Sequence, residues 1–147
     1  MVDAPSVAEV MSAPVVTVRD TDTVWQAVDQ FMVSGLRHLV VVDGARTLVG
    51  VLSDRVAMGE CLTAALTLRT RQVTEVLQSY TQVPCEVTPA LNVREAARLM
   101  LARGDDALPV VDAERRPVGI VTGSDLLRAL RDVSLEQPEE SEQPSGT

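Results

Sequence analysis

A hydroxyl and a carboxylate three residues apart, Thr122 and Asp125, close the stretch Gly119-Ile120-Val121-Thr122-Gly123-Ser124-Asp125. The run before them is β-branched, which places the pair where a strand turns into a helix. There Thr122 can cap the helix, and Asp125 can interact with the helix dipole for about 0.3–1 kcal/mol. A weaker copy, Gly50-Val51-Leu52-Ser53-Asp54-Arg55-Val56, lies 69 positions earlier and puts Val56 in the place of the carboxylate. His38, the single histidine, has no nucleophile or paired acid at recognisable spacing, so no catalytic set forms around it. Cys61 and Cys85 fit no zinc spacing and read as small buried hydrophobes. Asp105-Asp106 reads as a solvated turn.

The elements that must position these groups follow from hydrophobic periodicity. Val7, Val10 and Met11 mark a short helix from Ser6 to Met11, which Pro14 stops. Val15, Val16 and Val18 form a brief strand, and Asp20-Thr21-Asp22 supplies turn and capping residues. Val24, Ala27, Val28, Phe31, Met32 and Gly35 recur at the spacing of one buried helical stripe, ended by Gly35. Leu39–Val42 and Leu48–Leu52 read as the strands of a hairpin around Asp43-Gly44, and Asp54 to Leu68 as helix and connector.

The order then repeats. Val73, Val76 and Leu77 match the short helix, and Pro84 to Val87 the first strand. Val93, Ala96, Ala97, Met100, Leu101 and Gly104 reproduce the stripe at the same offset of 69 residues. Two more strands end at Val111 and Val121, and Leu126, Leu127 and Leu130 extend a last amphipathic helix. The repeat is one β-α-β-β-α unit taken twice, an α/β (α+β) fold with copies at 6–68 and 69–133. A small sheet covered by helices on one side leaves its other face apolar, so the two sheets are expected to pack face to face about a pseudo-twofold axis. Residues 134–147 are acidic and poor in apolar side chains, and read as a disordered tail.

Bulk composition narrows the function. At 147 residues the chain can bury roughly two thirds of its unfolded surface. Aromatics are only 2%, so its core must be Val, Leu, Ala and Met. The net charge of −8 disfavours nucleic acid, although discounting Glu136, Glu139, Glu140 and Glu142 of the tail leaves only −4. With no apolar run of about 18 residues, the expectation is a cytoplasmic protein that does not engage a membrane.

Aligned on its own repeat, the chain resembles a tandem pair of cystathionine β-synthase (CBS) domains, or Bateman module. The resemblance covers about Ser6 to Val133. It rests on Val7-Ala8-Glu9-Val10-Met11, Gly35-Leu36-Arg37-His38-Leu39-Val40-Val41-Val42-Asp43, Leu108-Pro109-Val110-Val111-Asp112 and the two Gly-led motifs, in order and twice. It implies an adenosine ligand, AMP, ADP, ATP or S-adenosylmethionine, bound in clefts between the copies, with Asp125 accepting the ribose hydroxyls as an acidic residue does in dinucleotide folds. The cleft led by Thr122 and Asp125 would add Ile120 and Ser124 from the second copy, and Met11, Val16, Leu36 and Arg37 from the first. Arg37 and His38 stand where family members carry phosphate-binding residues. Asp106 and Ala107 are their counterparts in the second copy. The other cleft keeps Ser53 but has Val56, which cannot accept a hydrogen bond.

The resulting expectation is a stand-alone regulatory sensor that is not an enzyme and needs no cofactor. It has one competent cleft, forms a homodimer and signals to an unidentified protein partner. The rival reading is a ligand-independent dimerisation scaffold with vestigial clefts.

Overall fold

The computed structural model of the chain describes residues 4–63, 67–79 and 84–136. Its elements are α1 (Val7–Val10), β1 (Thr17–Arg19), α2 (Val24–Ser34), β2 (His38–Val42), β3 (Leu48–Ser53), α3 (Asp54–Thr63), α4 (Val73–Gln78), α5 (Val93–Arg103), β4 (Ala107–Val111), β5 (Pro117–Thr122) and α6 (Gly123–Glu136). The expected mixed α/β architecture is present, and the 69-residue repeat holds in detail. Gly35 and Gly104 end α2 and α5 at φ 69° and 72°, a left-handed conformation that favours glycine, and donate to the carbonyls of Phe31 and Met100. Both hairpins shift register at matching places, Val41/Val42 and Val110/Val111. Thr23 caps α2: its N–H donates to Gln26 Oε1 at 2.8 Å, and the Gln26 N–H donates to Thr23 Oγ1 at 3.2 Å.

The sheets are unequal. In the first copy β1 runs parallel to β2, and β3 completes an antiparallel hairpin. In the second, β4 and β5 stand as a two-stranded sheet. The strand expected at Pro84–Val87 needs correction, because it is reduced to one bridge between Val87 and Val110. The cause lies on the neighbouring strand. Val40 donates its N–H to the Val16 carbonyl at 3.3 Å, whereas the matching position, Pro109, has no N–H. What remains is Val87 N–H to the Pro109 carbonyl at 3.0 Å and Val111 N–H to the Val87 carbonyl at 2.9 Å.

Two cores form, and the short helices are exchanged between them. Val73 and Val76 of α4 pack with Phe31, Leu39 and Leu52 of the first copy, while Val7 of α1 packs with Met100, Leu108 and Val121 of the second. Backbone bonds fix the exchange: Val7 N–H to the Leu91 carbonyl at 2.7 Å, and Val73 N–H to the Asp22 carbonyl at 2.8 Å. Helices this short do not stand alone in water, so each depends on the other copy for its stability. Between the sheets, Val40, Leu48 and Val111 form a third cluster with Val15 and Ile120 against it, which gives the expected face-to-face packing.

Four apolar side chains depart from the expected burial. Met32 and Leu101, counted in the buried stripes, are 74% and 85% exposed, and Leu127 and Leu130 of α6 are 69% and 64% exposed. Val24, Ala27, Val28 and Phe31 fill the inner face of α2, and Ala96 and Met100 that of α5. The stripe is wider than one core can cover, so its outer edge faces away from the chain's own interior. Helix α6 continues to Glu136, and the rest of the expected tail, 137–147, lies outside the described residues.

Candidate functional site

The β5–α6 junction holds the Thr122/Asp125 pair in a reciprocal cap. The backbone N–H and the Oγ1 hydroxyl of Thr122 both donate to Asp125 Oδ2, at 2.8 and 3.0 Å, and the Asp125 N–H donates back to Thr122 Oγ1 at 3.3 Å. Asp125 Oδ1 takes an ion pair from Arg128, one helical turn on. Asp125 is only 3% exposed and is the one buried charged residue among those described, whereas the Arg128 side chain is 59% exposed.

The first copy contributes the wall. Ser12 and Ile120 exchange backbone bonds, Ser12 N–H to the Ile120 carbonyl at 2.9 Å and Ile120 N–H to the Ser12 carbonyl at 3.2 Å. This lays Met11 across Gly119. A Cβ at position 119 would stand 2.5 Å from Met11 Sδ and 3.0 Å from the Ser12 carbonyl oxygen, so the close approach requires glycine there. Met11, Ile120, Thr122 and Asp125 therefore belong to one region. Val16 follows Val15, which packs in the same inter-sheet cluster as Ile120. Val16 and Leu36 are 37% and 41% exposed, and among the described residues they are the only exposed large hydrophobics outside α2, α3, α5 and α6. Ser124 is exposed on the first turn of α6, and Arg37 is exposed in the connection from α2 to β2. The Arg37 carbonyl accepts from the Asp54 N–H at 2.9 Å, which ties its backbone to the start of α3.

His38 belongs elsewhere. It lines a separate cavity of about 260 Å³ with Ser53, Val56, Cys85, Asp105 and Asp106, the counterpart of the cleft led by Thr122 and Asp125. Its Nε2 lies 3.0 Å from Asp106 Oδ1, joining the two copies at the mouth of that cavity. The solvated-turn reading of Asp105-Asp106 holds for Asp106, whose side chain is 72% exposed, but not for Asp105, which accepts from Arg103 Nε at 2.8 Å with its side chain 21% exposed. That hydrogen bond is the chief cause of an Arg103 pKa raised above the ordinary guanidinium value. The His38–Asp106 pairing depends on where the second copy folds back, so sequence spacing did not show it, whereas Arg103 and Asp105 lie only two residues apart. At the start of α3, Ser53 Oγ accepts from the Val56 N–H at 3.2 Å, the same cap that Thr122 makes with Asp125. The backbone geometry is kept while the Val56 side chain packs against the first core.

Comparison with known proteins decides the family. A model of the CBS domain matches residues 7–58 and 80–132. The chain belongs to the CBS-domain family. Among its relatives is the inosine-5'-monophosphate dehydrogenase of Methanocaldococcus jannaschii, 32% identical over 120 residues; the match spans 82% of this chain but only 22% of that enzyme. A CBS domain-containing protein of Dictyostelium discoideum is 29% identical over 92% of this chain and 97% of its own length. Among solved CBS structures, CBSX2 in complex with AMP superposes with a TM-score of 0.73 at 27% identity, covering 88% of this chain and 98% of that one. The CBS domain pair of protein MJ0100 in complex with 5'-methylthioadenosine and S-adenosyl-L-methionine gives a TM-score of 0.76 at 24% identity over the same shares. The tandem CBS architecture of the two copies is thus shared with known pairs. Among the described residues no helix is long and apolar enough to cross a membrane, and no three His, Cys, Asp or Glu side chains gather as a metal site.

Proposed function

We propose that this CBS pair is a regulatory module that binds an adenosine ligand in the cleft led by Thr122 and Asp125 and reports occupancy to a protein partner, without catalysing a reaction. The observation that carries the reading is the state of Asp125: a buried carboxylate already oriented by Thr122, with its second oxygen held by a solvent-exposed arginine. An ionised carboxylate offers about four acceptor positions. Three are used within the chain. A ribose takes the fourth and displaces Arg128, whose exposed side chain gives up little by moving. Val16 and Leu36 supply apolar surface for the base.

The relatives support the ligand class, since CBSX2 is seen with AMP and the MJ0100 pair with S-adenosyl-L-methionine and 5'-methylthioadenosine. In the opposite cavity the second copy offers Asp106 and Ala107 at the positions matching Arg37 and His38, a poor environment for several phosphates. With Arg37 assigned to the cleft led by Thr122 and Asp125, AMP, ADP, ATP and S-adenosylmethionine all stay within the ligand class. The opposite cleft has the cavity but Val56 in place of the ribose-binding carboxylate, and is the weak site. The exposed apolar faces of α2, α3, α5 and α6 are the surfaces of a homodimer.

A thermal-shift panel of AMP, ADP, ATP, S-adenosylmethionine and NAD tests the ligand class. A binder present at 100 times its Kd is expected to add about 2.7 kcal/mol to stability. If none of the five raises the melting temperature, the ligand-independent scaffold replaces the sensor.

A further inference from the structure

The cap at the β5–α6 junction fills the two oxygens of Asp125 unequally. Oδ2 accepts twice from Thr122, from its N–H at 2.8 Å and its hydroxyl at 3.0 Å, so both lone pairs of that oxygen are used. Oδ1 accepts once, from the Arg128 guanidinium, and has one position left. A ribose brings two neighbouring hydroxyls, which need two acceptor positions on a carboxylate that offers one. Arg128 is the donor that can give way. Its side chain is 59% exposed and returns to water, whereas Thr122 is held in β5 by its pairing with Ala107. Arg131, one turn further on, pairs with Asp132 and leaves Asp125 to Arg128.

The first copy shows that the turn itself needs neither group. Ser53 Oγ accepts from the Val56 N–H at 3.2 Å just as Thr122 Oγ1 accepts from the Asp125 N–H at 3.3 Å. Val56 and Gly59 stand 69 positions before Asp125 and Arg128, so the carboxylate and the guanidinium are absent together. Gly59 is not demanded by space: a Cβ there meets nothing within 4 Å, and a glycine inside α3 only weakens the helix. Asp125 and Arg128 are therefore a pair that belongs to the second motif's cleft and not to the fold of the turn.

We infer that Arg128 is an internal latch on the cleft led by Thr122 and Asp125: it competes with the ribose hydroxyls for Asp125 Oδ1 and holds the affinity of the cleft below what the carboxylate alone would give. The inference rests on the ribose reading of Asp125 and adds how that site is held in check. Binding exchanges one guanidinium bond for two hydroxyl bonds, and breaking the exposed ion pair is the margin by which Arg128 lowers the affinity.

Titration calorimetry of the full chain with adenosine, a probe without charge, compares wild type with Arg128→Met, and AMP is titrated beside it. Methionine removes the charge at an exposed helical position that it suits, so the fold survives. Arg128→Met is expected to bind adenosine about two- to fivefold more tightly than wild type. Raising the salt from about 0.1 to about 1 M, which shortens the Debye length from about 10 to about 3 Å, should tighten adenosine binding by wild type more than by Arg128→Met. No gain or a loss of adenosine binding in Arg128→Met, or an equal salt response in the two proteins, overturns the latch, and AMP binding by wild type then leaves the ribose reading standing. If neither adenosine nor AMP binds to either protein, the ribose reading fails and the latch with it.

Discussion

Asp125→Asn is expected to weaken adenosine-ligand binding at least tenfold while the fold survives. The amide keeps one oxygen, enough to accept from Thr122 at the cap, whose geometry is set by bonds of 2.8 and 3.0 Å. It cannot also accept a second set of hydroxyl protons, because its other terminus is a donor. Losing charge-assisted bonds of this kind costs about 1.5–3 kcal/mol, which is roughly 10- to 150-fold in Kd. The stability cost is smaller. The ion pair with Arg128 involves a partner that is 59% exposed, and such pairs contribute at most about 1 kcal/mol. Titration calorimetry against AMP, beside a melt without ligand, separates the two effects. A variant that binds as well as wild type but melts markedly earlier would make Asp125 a helix cap and nothing more.

Gly119→Ala is expected to destabilise the protein by about 1–3 kcal/mol, the usual range for forcing atoms into a filled site. The new Cβ meets Met11 Sδ at 2.5 Å and the Ser12 carbonyl oxygen at 3.0 Å. The thioether can swing aside, but the carbonyl is fixed by its bond to the Ile120 N–H. Adding Met11→Ala should therefore restore only part of the loss. Gly50, the counterpart in the first copy, provides the control. A Cβ there comes no closer than 3.3 Å to the end of the Leu77 side chain, so Gly50→Ala should cost under about 1 kcal/mol. Urea denaturation of the three variants beside wild type orders them. Equal losses at positions 50 and 119 would show that Met11 and Ser12 do not press on β5.

The strand–helix pattern was legible because the chain repeats it, and each weak local signal is seen twice at one offset. Thr122, Asp125 and the loss at Val56 were legible for the same reason. Burial was harder to read. Met32 and Leu101 continue a helical stripe, and periodicity cannot separate a side chain facing its own core from one facing a second surface. The shortened sheet of the second copy follows from Pro109, whose missing N–H acts on the neighbouring strand and not on its own. The exchange of α1 and α4 and the His38–Asp106 pair arise from how the two copies meet, which no window along the chain contains.

The central claim is that the two Gly-led motifs share one backbone design and that only the second keeps its carboxylate. Titration calorimetry with AMP on wild type and on Val56→Asp tests it most directly. Ser53 already caps the Val56 N–H at 3.2 Å, so an aspartate at 56 starts from the same turn as Asp125. The account predicts one ligand bound per wild-type chain, two per Val56→Asp chain, and one per chain again when Asp125→Asn is added. Two equivalent sites in the wild-type chain would contradict it.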